Sequence, residues 1–364
     1  MEIAEYLKQA EARLSQARRW IKDFRVFDFN HIPQKPLMRD ETRPIIDALV
    51  RYEATGIPNH LLVFGSRGCG KTLMLKYVSR ILERQDRPGP TFAYVNCRHH
   101  NTSFKILAHL LGVKPRGCSL AELWNRFCER HDRRVVFVLD EVDLISDKDR
   151  RMEILYLISR SPQNYMAVLL SNNPRFLNSL DESIRSTLQP ELIHFRNYGA
   201  EEILEILRER AQAGIVRPLS KALPQIAALV AKHTNSDVRV AIKTLYYFAL
   251  QPKADLKQIF EQARRDIVRD VIADLTDPNL LILKAAGGTD PGHVKSVYER
   301  YRELSRQVHE EPFSYVYFYS SLSYLQSLGL ILLLSTKVGR AYTNRIQLLF
   351  DPEVLDSIWA TRMR

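Results

Sequence analysis

Cysteine is scarce: four in 364 residues, none in a CxxC pair. Neither a disulfide framework nor a zinc ribbon is supported. Glycine (14) and proline (17) are too few for a fibrous or linker-dominated chain. The longest apolar run, Leu328-Gly-Leu-Ile-Leu-Leu-Leu334, falls far short of the roughly 20 residues a membrane-spanning helix needs. The opening Met1-Glu-Ile-Ala-Glu-Tyr6 lacks the basic start and apolar core of a secretory signal. These absences predict a cytoplasmic protein with no membrane partner. With 45% hydrophobic and 26% charged residues the composition is ordinary for a globular protein. The length predicts two or three domains.

Acidic residues are also in deficit, 42 against 53 Lys and Arg, for a net charge of +11. Such a surplus suits a polyanion such as nucleic acid, or merely a solvated basic surface. Its distribution is uneven: residues 1–50 net +1, 51–200 net +7, 201–277 net +1 and 278–364 net +2.

Residues 2–24 place Ile3, Leu7, Ala10, Leu14, Ala17 and Ile21 at helical spacing. Arg13, Arg18, Arg19 and Lys22 on the other face read as a DNA-touching arm or as a solvated face. An extended stretch over 28–38 and a helix over 42–54 follow. Four short apolar runs then alternate with helical periods: His60–Phe64, Phe92–Val95, Val135–Leu139 and Met166–Leu170. That alternation predicts a parallel α/β sheet covered on both faces. After about residue 200 the pattern is helical, over 201–213, 219–234, 238–249 and 256–272. Pro278 and Gly287-Gly288 loosen the chain before three further helices and a hairpin at 330–343.

Gly65-Ser66-Arg67-Gly68-Cys69-Gly70-Lys71-Thr72 fits the G-x-x-x-x-G-K-[ST] phosphate loop, directly after a predicted strand and before a helix. Its backbone N–H groups and the helix N-terminus suit phosphates. Lys71 is expected on the β/γ-phosphates and the Thr72 hydroxyl on Mg²⁺. A second strand, Val135–Leu139, runs into Asp140-Glu141. Asp140 suits a water-mediated Mg²⁺ contact, and Glu141 suits orienting or deprotonating an attacking water. ATP or ADP with Mg²⁺ is therefore the expected cofactor. The strand ending Ser171-Asn172-Asn173 brings an amide that reads as a turn residue or as a γ-phosphate contact. Arg239 reads as a surface arginine or as a contact from the helical region.

In this order the motifs resemble the archaeal and eukaryotic origin-recognition and replication-initiator family of AAA+ ATPases. Tyr94-Val-Asn-Cys97, Leu139-Asp-Glu-Val-Asp143, Leu155–Arg160, Ser171-Asn172 and Ser236–Ile242 carry the likeness, which covers nearly the whole chain. The resemblance implies an α/β AAA+ P-loop domain at 1–199, a helical lid at 200–277 and a winged-helix DNA-binding domain at 278–364. It makes Asn172 the first sensor and Arg239 the second, and puts the adenine near Phe27, Pro33 and Arg39. It further implies a replication initiator that binds origin duplex DNA, assembles with other initiator protomers and helps recruit and load the replicative helicase. A clamp-loader-like or transposition-type ATPase acting through protein partners is the alternative. The family usually has Gly where Ser236 stands and Thr or Ser where Cys69 stands. It often has Arg where Ser183 stands, with Arg185 two residues on. An arginine finger at Arg185 is thus open, and slow ATP turnover is the expectation.

The winged helix implies a recognition helix at about 312–328. Tyr315, Tyr317 and Ser320 offer hydroxyls there, and Lys337, Arg340 and Arg345 sit on the wing. The family's helical insertion, which touches DNA, corresponds here to the stretch between Val95 and Arg134, net +5. Arg98, Lys105, Lys114 and Arg116 are its candidate contacts. His99 and His100 are adjacent and unsuited to a metal on one helix face.

Overall fold

The structure, a computed structural model, describes residues 3–84, 89–114, 117–131, 133–146, 149, 152–216, 219–289, 292–338 and 341–362. The chain divides into two compact units, one of residues 34–196 and one of residues 1–33 with 197–364.

The 34–196 unit is a five-stranded sheet: β1 (Leu61–Phe64), β2 (Thr91–Asn96), β3 (Val135–Asp140), β4 (Met166–Ser171) and β5 (Glu191–His194). Their order is β2-β3-β4-β1-β5, and all neighbours run parallel. Strand residues alternate between two cores, as the period of two requires. Leu62, Val95, Phe137, Leu139, Ala167 and Leu169 face one core; Leu61, Val63, Val136, Val138, Val168 and Leu170 face the other. The first is covered by α4 (Ser103–Leu111), α5 (Leu120–Arg130), α6 (Glu153–Ser159) and α7 (Glu182–Leu188). The second is covered by α2 (Thr42–Thr55) and α3 (Lys71–Glu83), through Ile45, Leu49, Tyr52, Met74, Leu75 and Val78. Burial on both faces explains why β1, β3 and β4 read as continuous apolar runs, while the edge strand β2 buries only Ala93 and Val95. The fifth strand was not foreseen. β5 lies at the sheet edge and buries only Ile193, so Glu191-Leu-Ile-His194 carries no apolar run.

His60 precedes β1, is buried, and accepts the Ala167 N–H on Nδ1 at 3.0 Å. Burial pushes its pKa down to about 4. The unfolded chain protonates this imidazole near pH 6.5, so the native state loses stability as pH falls from about 6.5 toward 4. His60→Asn, whose side-chain oxygen can take the same hydrogen bond, should flatten that loss by up to about 3 kcal/mol. Thermal unfolding of both proteins from pH 7 to pH 4 checks this; parallel curves would remove His60 as the cause.

In the second unit, α1 (Ile3–Ala17) is shorter than the predicted 2–24 helix. Ile21 leaves it to form an antiparallel bridge with Ile215, and Phe24–Phe27 forms a one-turn 3-10 helix. The following segment is fixed by buried Arg210, which donates to the carbonyls of Val26, Asp28 and His31. Arg210 sits on α8 (Ala200–Gly214), the first of four helices with α9 (Ala222–His233), α10 (Val238–Leu250) and α11 (Leu256–Ala273). A separate core then gathers α12 (Asp277–Gly287), α13 (Val294–Gln307), α14 (Tyr315–Ser327) and the antiparallel hairpin β6 (Ile331–Val338) and β7 (Ala341–Leu348). Leu281, Val297, Tyr301, Phe318, Leu322 and Ile346 are its centre. This is a winged helix. It closes with α15 (Pro352–Arg362), which the sequence reading did not anticipate. No helix among the described residues is long and apolar enough to cross a membrane.

Candidate functional site

The C-terminal ends of β1, β3 and β4 lie side by side, so three chain segments distant in sequence meet at one sheet edge. From β1 the chain enters the loop of residues 65–70. Gly65 is packed so tightly that a Cβ there would stand 2.3 Å from the Phe195 carbonyl oxygen. Gly68 and Gly70 take φ of 76° and 92°, left-handed values that favour glycine. With them the loop turns back, and Gly70 leads into α3. Buried Arg39 braces the loop from below, donating to the carbonyls of Cys69 (3.1 Å) and Arg196 (2.9 Å).

Lys71 is 7% exposed, and its Nζ lies 2.8 Å from Gly65 O, 2.9 Å from Ser66 O and 3.1 Å from Asn172 Oδ1. The Thr72 hydroxyl donates to the Asp140 carboxylate at 3.0 and 3.2 Å. A buried ammonium inside the loop and a hydroxyl paired with a carboxylate are a donor set that fits a nucleotide's phosphates and a hard divalent cation. Thr72 and Asp140 would hold the cation; Lys71 and the loop N–H groups would hold the phosphates.

Two residues that stand in the motifs without an assigned role shape the carboxylates. Tyr94 on β2 donates its hydroxyl to Asp140 Oδ2 at 2.7 Å. Asp143 accepts from the Ser171 hydroxyl (2.8 Å) and the Asn172 N–H (3.1 Å), fixing the end of β4. Burial raises the pKa of Asp140 against the hydrogen bonds of Tyr94 and Thr72, and burial raises that of Asp143 as well. A parallel sheet places β2 directly beside β3, with Asn96 opposite Asp140, and this register is the signal that points to Tyr94.

Glu141 stands at φ 52°, an uncommon conformation for a non-glycine residue. Arg98 donates to both of its oxygens, Nε to Oε2 at 2.8 Å and Nη2 to Oε1 at 3.1 Å. Arg67 Nη2 stands 3.8 Å from Oε1. Burial alone would raise the pKa of Glu141; the hydrogen bonds and charge of Arg98, with the charge of Arg67, bring it below the usual carboxylate value. Arg98 was expected among the DNA contacts of the insertion. It instead faces Glu141, because β2 ends beside β3 and carries it there.

The remaining candidates are dispersed. Arg239 lies at the start of α10, its Nε 3.0 Å from Asp237 Oδ1. Phe27 is 5.2 Å from the ring of Tyr246, in the unit of residues 1–33 and 197–364 that also holds Pro33, whereas Arg39 is in the other unit. Arg39 spends its Nη1 donors on backbone carbonyls rather than on an open pocket. Arg185 is exposed on α7. Lys105 on α4 and Lys114 just beyond it are exposed, as are Tyr315, Tyr317 and Ser320 on α14. Lys337 stands on β6 opposite Tyr342, and Arg345 is exposed on β7. Arg116 and Arg340 lie outside the described residues.

The parallel sheet with its phosphate loop and helical region defines a P-loop protein of the AAA+ class. Residues 57–180 match the family model described as "AAA domain". The ORC1-type DNA replication protein 1 of Sulfolobus acidocaldarius is 27% identical, over 70% of this chain and 70% of its own. The ORC1 protein of Aeropyrum pernix, solved in complex with DNA, matches with TM-score 0.67 and 24% identity over 94% of this chain and 97% of its own. The ORC2 protein of the same organism, solved in ADPNP–ADP complexes, matches with TM-score 0.57 and 23% identity over 94% and 99%. The chain is thus similar, over most of its length, to archaeal ORC1-type DNA replication proteins and shares the AAA+ fold of their solved structures.

Proposed function

We propose that this protein is a DNA replication initiator, controlled by ATP and ADP, that binds origin duplex DNA on the chromosome and helps recruit and load the replicative helicase. The observation that carries this reading is the presence on one chain of a complete phosphate cradle and a terminal winged helix. In this reading residues 200–277 act as the lid and residues 278–364 as a DNA reader, with other initiator protomers as neighbours.

The chain's residues divide the work by chemistry. Gly65, Ser66, Arg67, Gly68, Cys69 and Gly70 wrap the phosphates, and Lys71 neutralises them. Thr72 and Asp140 would hold Mg²⁺, which would supply charge neutralisation for the phosphates. Tyr94 orients Asp140. Asn172, already on Lys71, is assigned the first-sensor role, and the family resemblance gives Arg239 on α10 the second. Glu141 orients or deprotonates the attacking water once Arg98 releases it. Lys105, Lys114 and Arg116 of the insertion, with Tyr315, Tyr317, Ser320, Lys337 and Arg340 of the winged helix, contact duplex DNA. Most of the phosphate attraction then comes from the half of the chain that carries the nucleotide, where its state can be felt.

Footprinting on genomic DNA of the source organism, with and without ATP, tests the reading. Discrete protected duplex repeats are expected, with affinity falling steeply as salt rises. Equal affinity for random duplex would leave the clamp-loader-like alternative.

A further inference from the structure

The exposed end of α14 is unusual for a major-groove reader because it offers almost none of the groups that read base edges. From Tyr315 to Ser327 the helix has no Lys, Arg, Asn, Asp or Glu. Its one amide, Gln326, lies at the far end, about 15 Å along the axis from Val316. Major-groove guanine is read mainly by Arg or Lys, adenine by Asn or Gln, and cytosine by Asp or Glu. Thymine alone carries an apolar mark, the C5-methyl group, which an apolar side chain reads.

The first turn of α14 provides one. Ser314 caps the helix, its Oγ accepting the Tyr317 N–H. Val316, at the second helical position, is 80% exposed. A β-branched residue in a helix keeps essentially one side-chain rotamer, so this apolar tip is pre-set. The tyrosines on either side are braced from within. Tyr315 meets Tyr298 edge-on at 5.1 Å, and Tyr317 meets Phe313 edge-on at 4.6 Å. Ser320, one turn further and exposed, shares the face of Val316.

Nucleic acid is favoured as the occupant of this end by the nearby cation Arg302 and by a helix that carries no acidic side chain. Exposed Arg302 lies 5.9 Å from the Tyr298 ring that braces Tyr315, and exposed Arg345 stands on the wing. Glu310 and Glu311 precede the helix, and the Glu310 N–H is tied back to Ser305 O on α13. In helix-turn-helix readers the N-terminal residues of the recognition helix are those that meet the bases.

We infer that Val316 is a specificity-determining residue that reads thymine C5-methyl groups in the major groove, biasing the winged helix toward T-containing sites. The inference rests on the reading of the winged helix as a duplex-DNA binder. The test compares binding of the full chain to alternating poly(dA–dT) and poly(dA–dU) duplexes at one salt concentration. The two differ only in the methyl group, and every base pair of the first presents one, so no knowledge of the natural site is required.

Wild type should prefer poly(dA–dT) by roughly fourfold per methyl contacted, the scale of burying one such group. Val316→Ser, a polar replacement at an exposed helical position that leaves the core untouched, should bring the ratio toward one without weakening binding to poly(dA–dU). A wild-type ratio of one with firm binding to both duplexes overturns the inference, leaves the initiator reading standing and gives Val316 to a protein contact. An unchanged ratio in Val316→Ser overturns it too, since the methyl is then read elsewhere. Failure to bind either duplex overturns the DNA-binding reading itself.

Discussion

Lys71→Ala should lower affinity for ATP and for ADP by about two orders of magnitude while the chain stays folded. The ammonium sits inside the loop, within 3.1 Å of two carbonyl oxygens and the Asn172 amide oxygen, and is almost wholly removed from water. Removing one partner of a buried charged pair typically costs about 2–5 kcal/mol, and each 1.4 kcal/mol is a factor of ten in affinity. The loss falls on both nucleotides because the cradle is shaped for phosphates rather than for the terminal one alone. Stability should change far less, since the carbonyls of Gly65 and Ser66 lie on a loop at the sheet edge that water can reach once the ammonium is gone. Titration calorimetry with each nucleotide, alongside a thermal melt, separates the two effects. Wild-type affinity in a folded variant would take the phosphate site away from this loop.

The phosphate loop and the three central strands were legible in the sequence because their signals are local. A loop of fixed spacing between a strand and a helix needs no knowledge of the rest of the chain, and a strand buried on both faces reads as an unbroken apolar run. What stayed hidden depends on lateral placement. β5 was missed because an edge strand with one buried side chain looks like a loop. Arg98 was grouped with the basic insertion because a regional charge tally weighs every cation alike. Only the register of β2 on β3 sets its guanidinium against the acid that follows Asp140. Arg39 was expected near an adenine ring; its place under the loop follows from a contact between residues 30 positions apart. Tyr94 and Asp143 were visible as letters in a motif, yet their work is done through hydrogen bonds to Asp140 and to the end of β4, which no spacing rule conveys.

The pairing of Arg98 with Glu141 carries the other large prediction, and it has two opposed arms. Glu141→Gln should leave ATP binding near wild type and reduce ATP turnover by roughly two to four orders of magnitude, the usual contribution of a positioned general base. Glutamine keeps the shape and can still accept from Arg98, but it cannot take a proton from water. Arg98→Ala should act in the other direction. Its guanidinium occupies both carboxylate oxygens, at 2.8 and 3.1 Å, so a water approaching Glu141 must compete with a charge-assisted pair. Without Arg98 the burial of Glu141 is opposed by the charge of Arg67 at 3.8 Å and a hydrogen bond from Asn96, and its pKa should rise toward the ordinary carboxylate value. The wild-type carboxylate, held below that value, stays ionised through neutral pH, so its turnover should be flat there. The variant should turn over faster near pH 7.5 and lose that advantage as the solution is acidified and Glu141 takes up a proton. Single-turnover rates from pH 5 to pH 8 measure both arms. A slower Arg98→Ala at every pH would make the arginine a participant in the chemistry rather than a restraint on it, and near-wild-type turnover in Glu141→Gln would move the base to another residue.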